Sequence, residues 1–322
     1  MSLDTLLTTL ASPDAPPRTT DLTLLSAIGG AERERFLDVW RTLSIQRRRD
    51  LVDRLTVLAE DNVELDFSPV FLVGLFDDDV QVRAQSVRGL WEYEGLDLVP
   101  LLTRLLRDPE AIVRAEALEG LGRFLLEMEL EGRDEDAAER IARELRGVYQ
   151  DESQLADVRG RALEALGVYG AAWVDEAIEG AYASGDRRLR ISAVAAMGRS
   201  AEPKWLPQVL REMGSDDPEM RFEAATAAGA IGDEDAIDHL AVLTSDDDAE
   251  VQEAAIAALG EIGGPRARSI LQSVASESKD ERVLEAVSDA LAAADFLEDP
   301  LAFKLYLDRS VAEDADEDDD NA

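Results

Sequence analysis

The side chains able to do chemistry in this chain of 322 residues are one histidine and a large excess of carboxylates. The chain contains no cysteine and no Gly-x-Ser-x-Gly turn, so it offers neither of these nucleophiles for His239 to activate. Paired carboxylates such as Asp216 and Asp217 could perform acid–base catalysis. With 70 Asp and Glu residues, however, such pairs arise by chance throughout the chain. We therefore predict a protein that is not an enzyme.

Two acidic triplets, Asp77 to Asp79 and Asp246 to Asp248, could suggest calcium loops. Neither belongs to an Asp-x-Asp-x-Asn-Gly loop with a glutamate at its twelfth position. Aspartate just before a helix accepts hydrogen bonds from free N–H groups and meets the positive end of the helix dipole. We interpret both triplets as helix caps. The chain also lacks the glycine-rich phosphate loops of nucleotide-binding proteins, so no metal or cofactor is predicted.

The elements that position these side chains are set by an internal repeat. In the stretch from Asp217 to Gly232, a capping aspartate and a proline precede an alanine-rich helix that a glycine ends. Its anchor, Met220, has apolar equivalents at steps of 31, 45, 31, 31, 31 and 32 residues. The seven anchors are Val82, Val113, Val158, Leu189, Met220, Val251 and Val283. A fixed period of this size predicts a repeat solenoid.

Two further columns keep the register of the anchors. The arginine column, one residue after the anchor, consists of Arg83, Arg114, Arg159, Arg190 and Arg221. It lies within the apolar stripe, so we expect these arginines to be partly buried and to form a structural ladder. Their expected partners are capping aspartates of neighbouring repeats or carbonyls at helix ends. Arg190→Ala is accordingly expected to lower the melting temperature.

The glycine column, nine residues after the anchor, consists of Gly122, Gly167, Gly198, Gly229 and Gly260. Glycine inside a helix costs about 1 kcal/mol relative to alanine. Its recurrence therefore predicts a close approach of the next helix, and Gly229→Leu is expected to disrupt packing.

Units of the type Asp-Pro-x-x-Val-Arg-x-x-Ala-x-x-x-Leu-Gly, such as Asp108 to Gly122 and Asp217 to Gly229, resemble HEAT repeats. The resemblance covers roughly residues 65 to 295 and is greatest to the short repeats of phycobilisome-lyase-like HEAT proteins. It implies an all-α superhelical solenoid of about seven helix pairs, with A helices outside and B helices, which carry the anchors, lining a concave face. It also leaves open an alternative function, a bilin lyase-like accessory factor for pigment attachment.

The segments outside the register predict the remaining organisation. Residues 1–64 are predicted to form a helical cap, with Pro13, Pro16 and Pro17 in an extended connection. The 45-residue step marks an insertion near 124–136, which is expected to lengthen a B helix and add a loop. Such an insertion can contact a partner; the alternative is that it is a tolerated surface loop. Residues 296–310 are predicted as a capping helix and 311–322 as a disordered acidic tail.

The net charge of −37 argues against nucleic acids and anionic membranes as partners. We find no run of 18 apolar residues and no signal-peptide pattern at the N-terminus, so a cytoplasmic location and a monomer are the default expectations. One basic run, Arg47 to Arg49, is interpreted as the solvated face of a cap helix. The alternative is a patch that holds an acidic partner.

The sequence predicts a non-catalytic scaffold or adaptor that binds a protein partner on the concave face expected along the B helices. Helical positions opposite the apolar stripe carry small and mixed side chains there, with positive charge near the centre. Arginine is favoured at the centre of interfaces, so a partner segment with a carboxylate is expected to dock. The alternative is that these arginines are ordinary solvated residues. The candidate residues are Arg161, Arg188, Ser192, Arg199, Glu164 and Glu223.

Overall fold

All regular structure in the described part of the chain is helical, which confirms the all-α prediction. The structure is a computed structural model that describes residues 1–12, 16–132 and 134–298. These residues form eighteen α-helices and three short 3-10 turns, and they contain no strand. The chain divides into two compact units, Met1–Ala165 and Leu166–Ala322.

The first unit contains nine helices and most of a tenth, which ends at the first residue of the second unit. Its helices are α1 (Leu3–Ala11), α2 (Thr19–Leu22), α3 (Gly30–Trp40), α4 (Ile45–Asp61), α5 (Ser68–Gly74), α6 (Val80–Arg88), α7 (Leu98–Leu105), α8 (Ala111–Glu131), α9 (Glu135–Gln150) and α10 (Ala156–Leu166).

Up to residue 298, the second unit contains four helix pairs, each made of an A helix and the B helix that follows it. Its helices are α11 (Ala172–Tyr182), α12 (Arg187–Ser200), α13 (Leu206–Glu212), α14 (Pro218–Ile231), α15 (Ile237–Leu243), α16 (Ala249–Ile262), α17 (Gly264–Glu277) and α18 (Glu281–Glu298). Each A helix packs on its own B helix, and the B helices α12, α14, α16 and α18 pack side by side.

Aspartate caps fix where the B helices begin. Asp79 accepts hydrogen bonds from the N–H groups of Gln81 (3.1 Å) and Val82 (3.2 Å), and Asp248 does the same for Glu250 (3.0 Å). Each capping side chain satisfies N–H groups that have no partner inside the helix. The interpretation of the two acidic triplets as caps is confirmed at both sites.

Helix α4 lies in the segment predicted to be a non-repeat cap, yet it is placed as a B helix. It packs along α6 in the way that α6 packs along α8. Leu51, 31 residues before the anchor Val82, is apolar and buried, but Val52 and Glu60 stand where the arginine and glycine columns would continue. The stacking of B helices in the first unit therefore starts one B helix before the seven anchors do.

The inserted residues near 124–136 extend two helices. Helix α8 runs for 21 residues to Glu131, and Gly132 ends it in the left-handed conformation with φ +62°. Helix α9 then begins after Asp134, also at positive φ, whose side chain accepts a hydrogen bond from the N–H of Ala137 (3.1 Å). The insertion thus lengthens a B helix and is followed by an A helix of 16 residues, the longest A helix of the described chain.

Some predicted features fall outside the described residues. Residues 13–15 of the proline-rich connection and Arg133 of the insertion are among them. Residues 296–298 belong to α18, whereas 299–310 of the predicted capping helix and the tail at 311–322 are not described.

The glycine column marks the closest approach between successive B helices, as predicted. A Cβ atom on Gly198 would lie 2.6 Å from the Cα of Ala227, and one on Gly229 would lie 2.9 Å from the Cα of Ala258. The partner alanine stands seven residues after its own anchor in every repeat. The equivalent contacts within the two units join Gly122 to Ala165, Gly167 to Ala196 and Gly260 to Ala290. Backbone contact through glycine and alanine therefore sets the register between B helices.

This contact predicts that a single methyl group at Gly198 destabilises the protein. Gly198→Ala places a Cβ against the backbone of Ala227, and overpacking of this kind costs about 1–3 kcal/mol. The matched control is Gly180→Ala on α11, where the added Cβ has nothing within 4 Å and alanine gains up to ~1 kcal/mol of helix propensity. Urea unfolding of both variants should give changes of opposite sign. Equal stability of the two variants would contradict the close approach.

Candidate protein-binding surface

Two members of the arginine column form buried, bidentate ion pairs with the following repeat. Arg83 donates from Nε and Nη2 to the two carboxylate oxygens of Asp108 at 2.8 and 2.9 Å. Arg221 does the same to Asp246 at 2.8 and 2.7 Å. Both aspartates stand five residues before the anchor of the next repeat. The pairs therefore connect each B helix to the turn that precedes the next one.

The remaining nitrogen of each guanidinium returns to the turn of its own repeat. Arg83 Nη1 donates to the carbonyl of Asp77 (2.8 Å), and Arg221 Nη1 donates to the carbonyl of Ser215 (2.9 Å). Each arginine thus joins two successive turns. Arg221 holds the pKa of the Asp246 carboxyl below its ordinary value, because it stabilises the ionised form.

The other three arginines of the column lack that aspartate in the next repeat. Arg114 donates to the carbonyl of Asp108 at 2.7 Å, and Arg159 donates to the carbonyl of Tyr149 at 2.9 Å. The side chain of Arg190 is 41 % exposed and reaches Glu212 only at 3.5 Å. The arginine column therefore contains two bidentate ion pairs, at Arg83 and Arg221, and three arginines with weaker contacts.

The interpretation of Arg47 to Arg49 as a solvated face is wrong. Arg48 pairs with the buried Asp77 at 2.5 Å, and Arg49 pairs with both carboxylate oxygens of Asp79 at 2.8 and 2.5 Å. Arg47 donates to the carbonyl of Ser12 at 3.1 Å. The nearby Asp50 and Asp53 suggested local neutralisation, but the partners of Arg48 and Arg49 lie about thirty residues away in the next repeat.

Two of the residues predicted to contact a partner are buried. Ser192 is 0 % exposed and Glu164 is 5 % exposed, so neither offers its side chain to a partner. Ser192 lies on α12, which packs against α11 and α14, and Glu164 adjoins Ala165, where α10 closely approaches Gly122 of α8. Arg161 lies in the first unit and donates to Glu164 at 3.0 Å, one turn along α10.

The other predicted contact residues belong to the second unit. Arg188 pairs with Glu219 of the next B helix at 2.6 Å, so the carboxylate of Glu219 already balances most of the arginine's charge. Glu223 is half-buried on α14. Arg199 is exposed near the end of α12, and the described residues offer it no ion pair. Of the three arginines proposed as a centre, Arg161 and Arg188 form ion pairs and Arg199 forms none with the described residues.

The exposed face of the B helices in the second unit, which we call the B face, bears small side chains in register. Thr226 and Ala257, six residues after their anchors, are exposed, as are Arg199, Ala230 and Glu261. Sequence reasoning placed these positions on one face from the helical period alone.

Between α16 and α18 the B face contains a groove of about 600 Å³. Its alanines are Ala257, Ala286, Ala290 and Ala293, and its charged residues are Glu253, Glu261, Arg282, Glu285 and Asp289. Desolvation raises the pKa of the Glu261 carboxyl, which reaches back over Gly229 of the neighbouring helix. The groove is therefore small-sided and predominantly acidic.

The described residues contain no cluster of metal-binding side chains, and their one histidine stands alone. They contain no group of three or more His, Asp or Glu side chains able to hold a metal ion. His239 is exposed on α15 and forms no hydrogen bond with another described residue. Within the same part of the chain, every helix is too short or too polar to cross a membrane.

The family model for HEAT repeats matches residues 68–167, 174–248 and 240–318. Because these matches span most of the chain, the protein belongs to the HEAT-repeat family.

Solved structures agree on the fold. The CpcE–CpcF complex of phycocyanin lyase from Nostoc sp. PCC7120 is 18 % identical, with a TM-score of 0.53, and the alignment covers 89 % of this chain and 99 % of that one. Yeast importin-β, Kap95p, is 13 % identical with a TM-score of 0.50, over 90 % of this chain and 45 % of that one. At these identities the likeness concerns the fold alone. The comparison with curated proteins returns no match.

The unequal arginine column predicts unequal losses of stability. Arg221→Ala leaves the buried carboxylate of Asp246 unpaired, and we expect a loss of about 1–3 kcal/mol, between the values for exposed and fully buried pairs. Arg190→Ala removes a half-exposed contact and should lower the melting temperature less, by under about 1 kcal/mol of stability. Urea unfolding measures both. A larger loss at Arg190 would contradict the ladder described above.

The same pair predicts a dependence on pH. The folded pKa of Asp246 is lowered, so its contribution to stability is present above the unfolded pKa of about 3.9 and is lost as the pH falls through the lowered value. The stability difference between the parent and Arg221→Ala should be constant from about pH 7 to 5 and shrink below about pH 4. Urea unfolding of both proteins at stepped pH tests this. A difference that is unchanged at the lowest pH would exclude the pair as its source.

Proposed function

We propose that this protein is a non-catalytic scaffold that binds a protein partner along the B face of its second unit. The observation that carries the proposal is the groove between α16 and α18, which is lined by alanines, of which Ala257 and Ala293 are exposed, and is open to solvent. Small side chains leave room for an inserted helix or peptide from a partner. In the packed core they would instead be covered by the next helix, as Ala227 and Ala258 are.

The distribution of charge on the B face supports an oriented partner. At its α12 end Arg199 is available to a carboxylate, whereas Glu253, Glu261, Glu285 and Asp289 surround the groove at the other end. A partner with an acidic and a basic end would match both. Charge complementarity of this kind fixes orientation and raises association rates more than it raises affinity.

The same features favour protein over nucleic acid or membrane as the partner. The groove is acidic and the chain carries a net charge of −37, so phosphate groups would be repelled. A binding role without catalysis is supported by the isolated position of His239 and by the pairing of most buried charges within the fold. We propose a monomer as the binding form.

The proposal predicts that filling the groove abolishes binding of the main partner. Ala257→Arg places a long cationic side chain on the B face, and Val242→Arg places the same side chain on α15, where the parent valine is 73 % exposed. Affinity capture from the native organism, followed by titration of the purified partner, should show loss with Ala257→Arg and retention with Val242→Arg. Circular dichroism checks that both variants fold. A partner held equally by both variants would reject the B face.

The alternative function is that of an accessory factor for pigment attachment. The likeness to the CpcE–CpcF fold is the observation that favours it. It predicts that the purified protein binds a free bilin and changes the pigment's visible absorbance. We expect the spectrum to be unchanged at micromolar protein. A shifted and intensified band that titrates with protein would favour the alternative over the scaffold.

A further inference from the structure

A second groove lies in the first unit, between the A helices α7 and α9. Its volume is about 510 Å³ and its lining is mainly apolar. Its floor is formed by buried parts of Met128, Ala137 and Ile141, whereas Leu96, at its edge, is 53 % exposed. This groove is separate from the B face and from every contact of the arginine column.

The groove arises from a mismatch in helix length. Helix α7 has 8 residues, a length of about 12 Å, whereas α8 and α9 have 21 and 16 residues and extend further. Residues near the end of α8 therefore have α9 on one side and only the short α7 on the other. The insertion in the sequence is thus the origin of the groove.

The lining follows the period of the two facing helices. On the α7 side, Leu96, Val99, Pro100 and Thr103 recur at helical spacing, and on the α9 side Ala137, Arg140, Ile141 and Glu144 do the same. Two such rows line the groove, which is open to solvent and which we call the trough. Such a trough suits an amphipathic helix, whose apolar side chains recur every three or four residues. Met128 at its floor can adapt its shape to an inserted side chain.

The charges at the rim decide the kind of helix. Glu144 pairs with Arg107 at 3.4 Å, and Arg143 pairs with Glu139 at 2.9 Å, so these charges are met within the fold. Asp134 caps α9, where the positive end of the helix dipole faces it. Arg140 is exposed and has no ion pair with another described residue. The rim charge that a partner can pair with is therefore the positive charge of Arg140. A positive charge is unusual in a chain of net charge −37.

We propose that this trough binds an amphipathic helical segment of a partner protein that carries a carboxylate opposite Arg140. The apolar face of the segment covers Leu96 and Val99 and fills the space above Met128. The carboxylate then pairs with Arg140 at the rim. This interaction adds a second docking surface to the protein, and it does not depend on the B face.

The test is a selection that identifies the peptide and then measures it. A phage-displayed library of peptides of roughly 15 residues, long enough to form a helix on binding, is selected on the full-length protein and counter-selected on Leu96→Asp. The enriched peptides should share apolar residues three or four apart and at least one Asp or Glu. One of them, synthesised with a fluorescent label, is then titrated by anisotropy.

Leu96→Asp and Arg140→Glu should each weaken binding about tenfold or more. Leu155→Asp, at a leucine of the same unit that is 59 % exposed and outside the trough, is the matched control and should bind as the parent does. A peptide with lysine in place of its acid should bind Arg140→Glu better than it binds the parent.

Three outcomes would overturn the proposal. The first is a selection that yields no peptide dependent on Leu96, and the second is enrichment of basic peptides on the parent protein. The third is a concentration-dependent dimer in sedimentation that Leu96→Asp disperses, since the trough would then hold a second copy of this chain. Ala257→Arg leaves the trough intact and should not change peptide binding, so failure here and failure of the B face are distinguishable.

Discussion

The contact between a glycine on one B helix and an alanine on the next is the constraint on which the repeat stack depends. It brings helix backbones close enough that an added methyl group at Gly198 would meet the Cα of Ala227 at 2.6 Å. Close approach leaves little space for large side chains at the contact, so alanine stands there on the facing helix in each case. Glycine stands at this position in five of the seven anchored repeats despite its cost to helix stability, because its lack of a side chain permits the approach.

Polar connections between repeats follow from the same spacing. Once adjacent B helices are fixed in register, the turn before each helix lies near the end of the preceding arginine stem, and Arg83 and Arg221 reach Asp108 and Asp246 in the same bidentate geometry. The arginine fork satisfies a carboxylate on one side and a carbonyl on the other. An acidic chain can therefore keep many of its carboxylates near the turns, because the capping N–H groups and the arginines stabilise their ionised forms.

The sequence allowed the helices, their caps and the close glycine contacts to be predicted, because each depends on residues a fixed distance apart. It was less informative where partners lie in another repeat. Arg47 to Arg49 were interpreted from their sequence neighbours, whereas Asp77 and Asp79 hold two of them from about thirty residues away. Ser192 and Glu164 were assigned to an exposed face from helical angle alone, yet both are buried. The helical angle gives the direction of a side chain, but the packing around the helix decides its exposure.

The trough between α7 and α9 could not be found from any motif, because it depends on the difference between helix lengths. The period showed that extra residues were present, but whether they formed a loop or extended two helices depended on where a left-handed residue ended α8. Gly132 supplies that end, and Asp134 starts α9 at once, so the extra length goes into helix. In a stack whose other repeats keep one period, a longer pair exposes side chains that its shorter neighbour cannot cover. A repeat protein can gain a new apolar surface in this way while the contacts that hold its repeats in register stay unchanged.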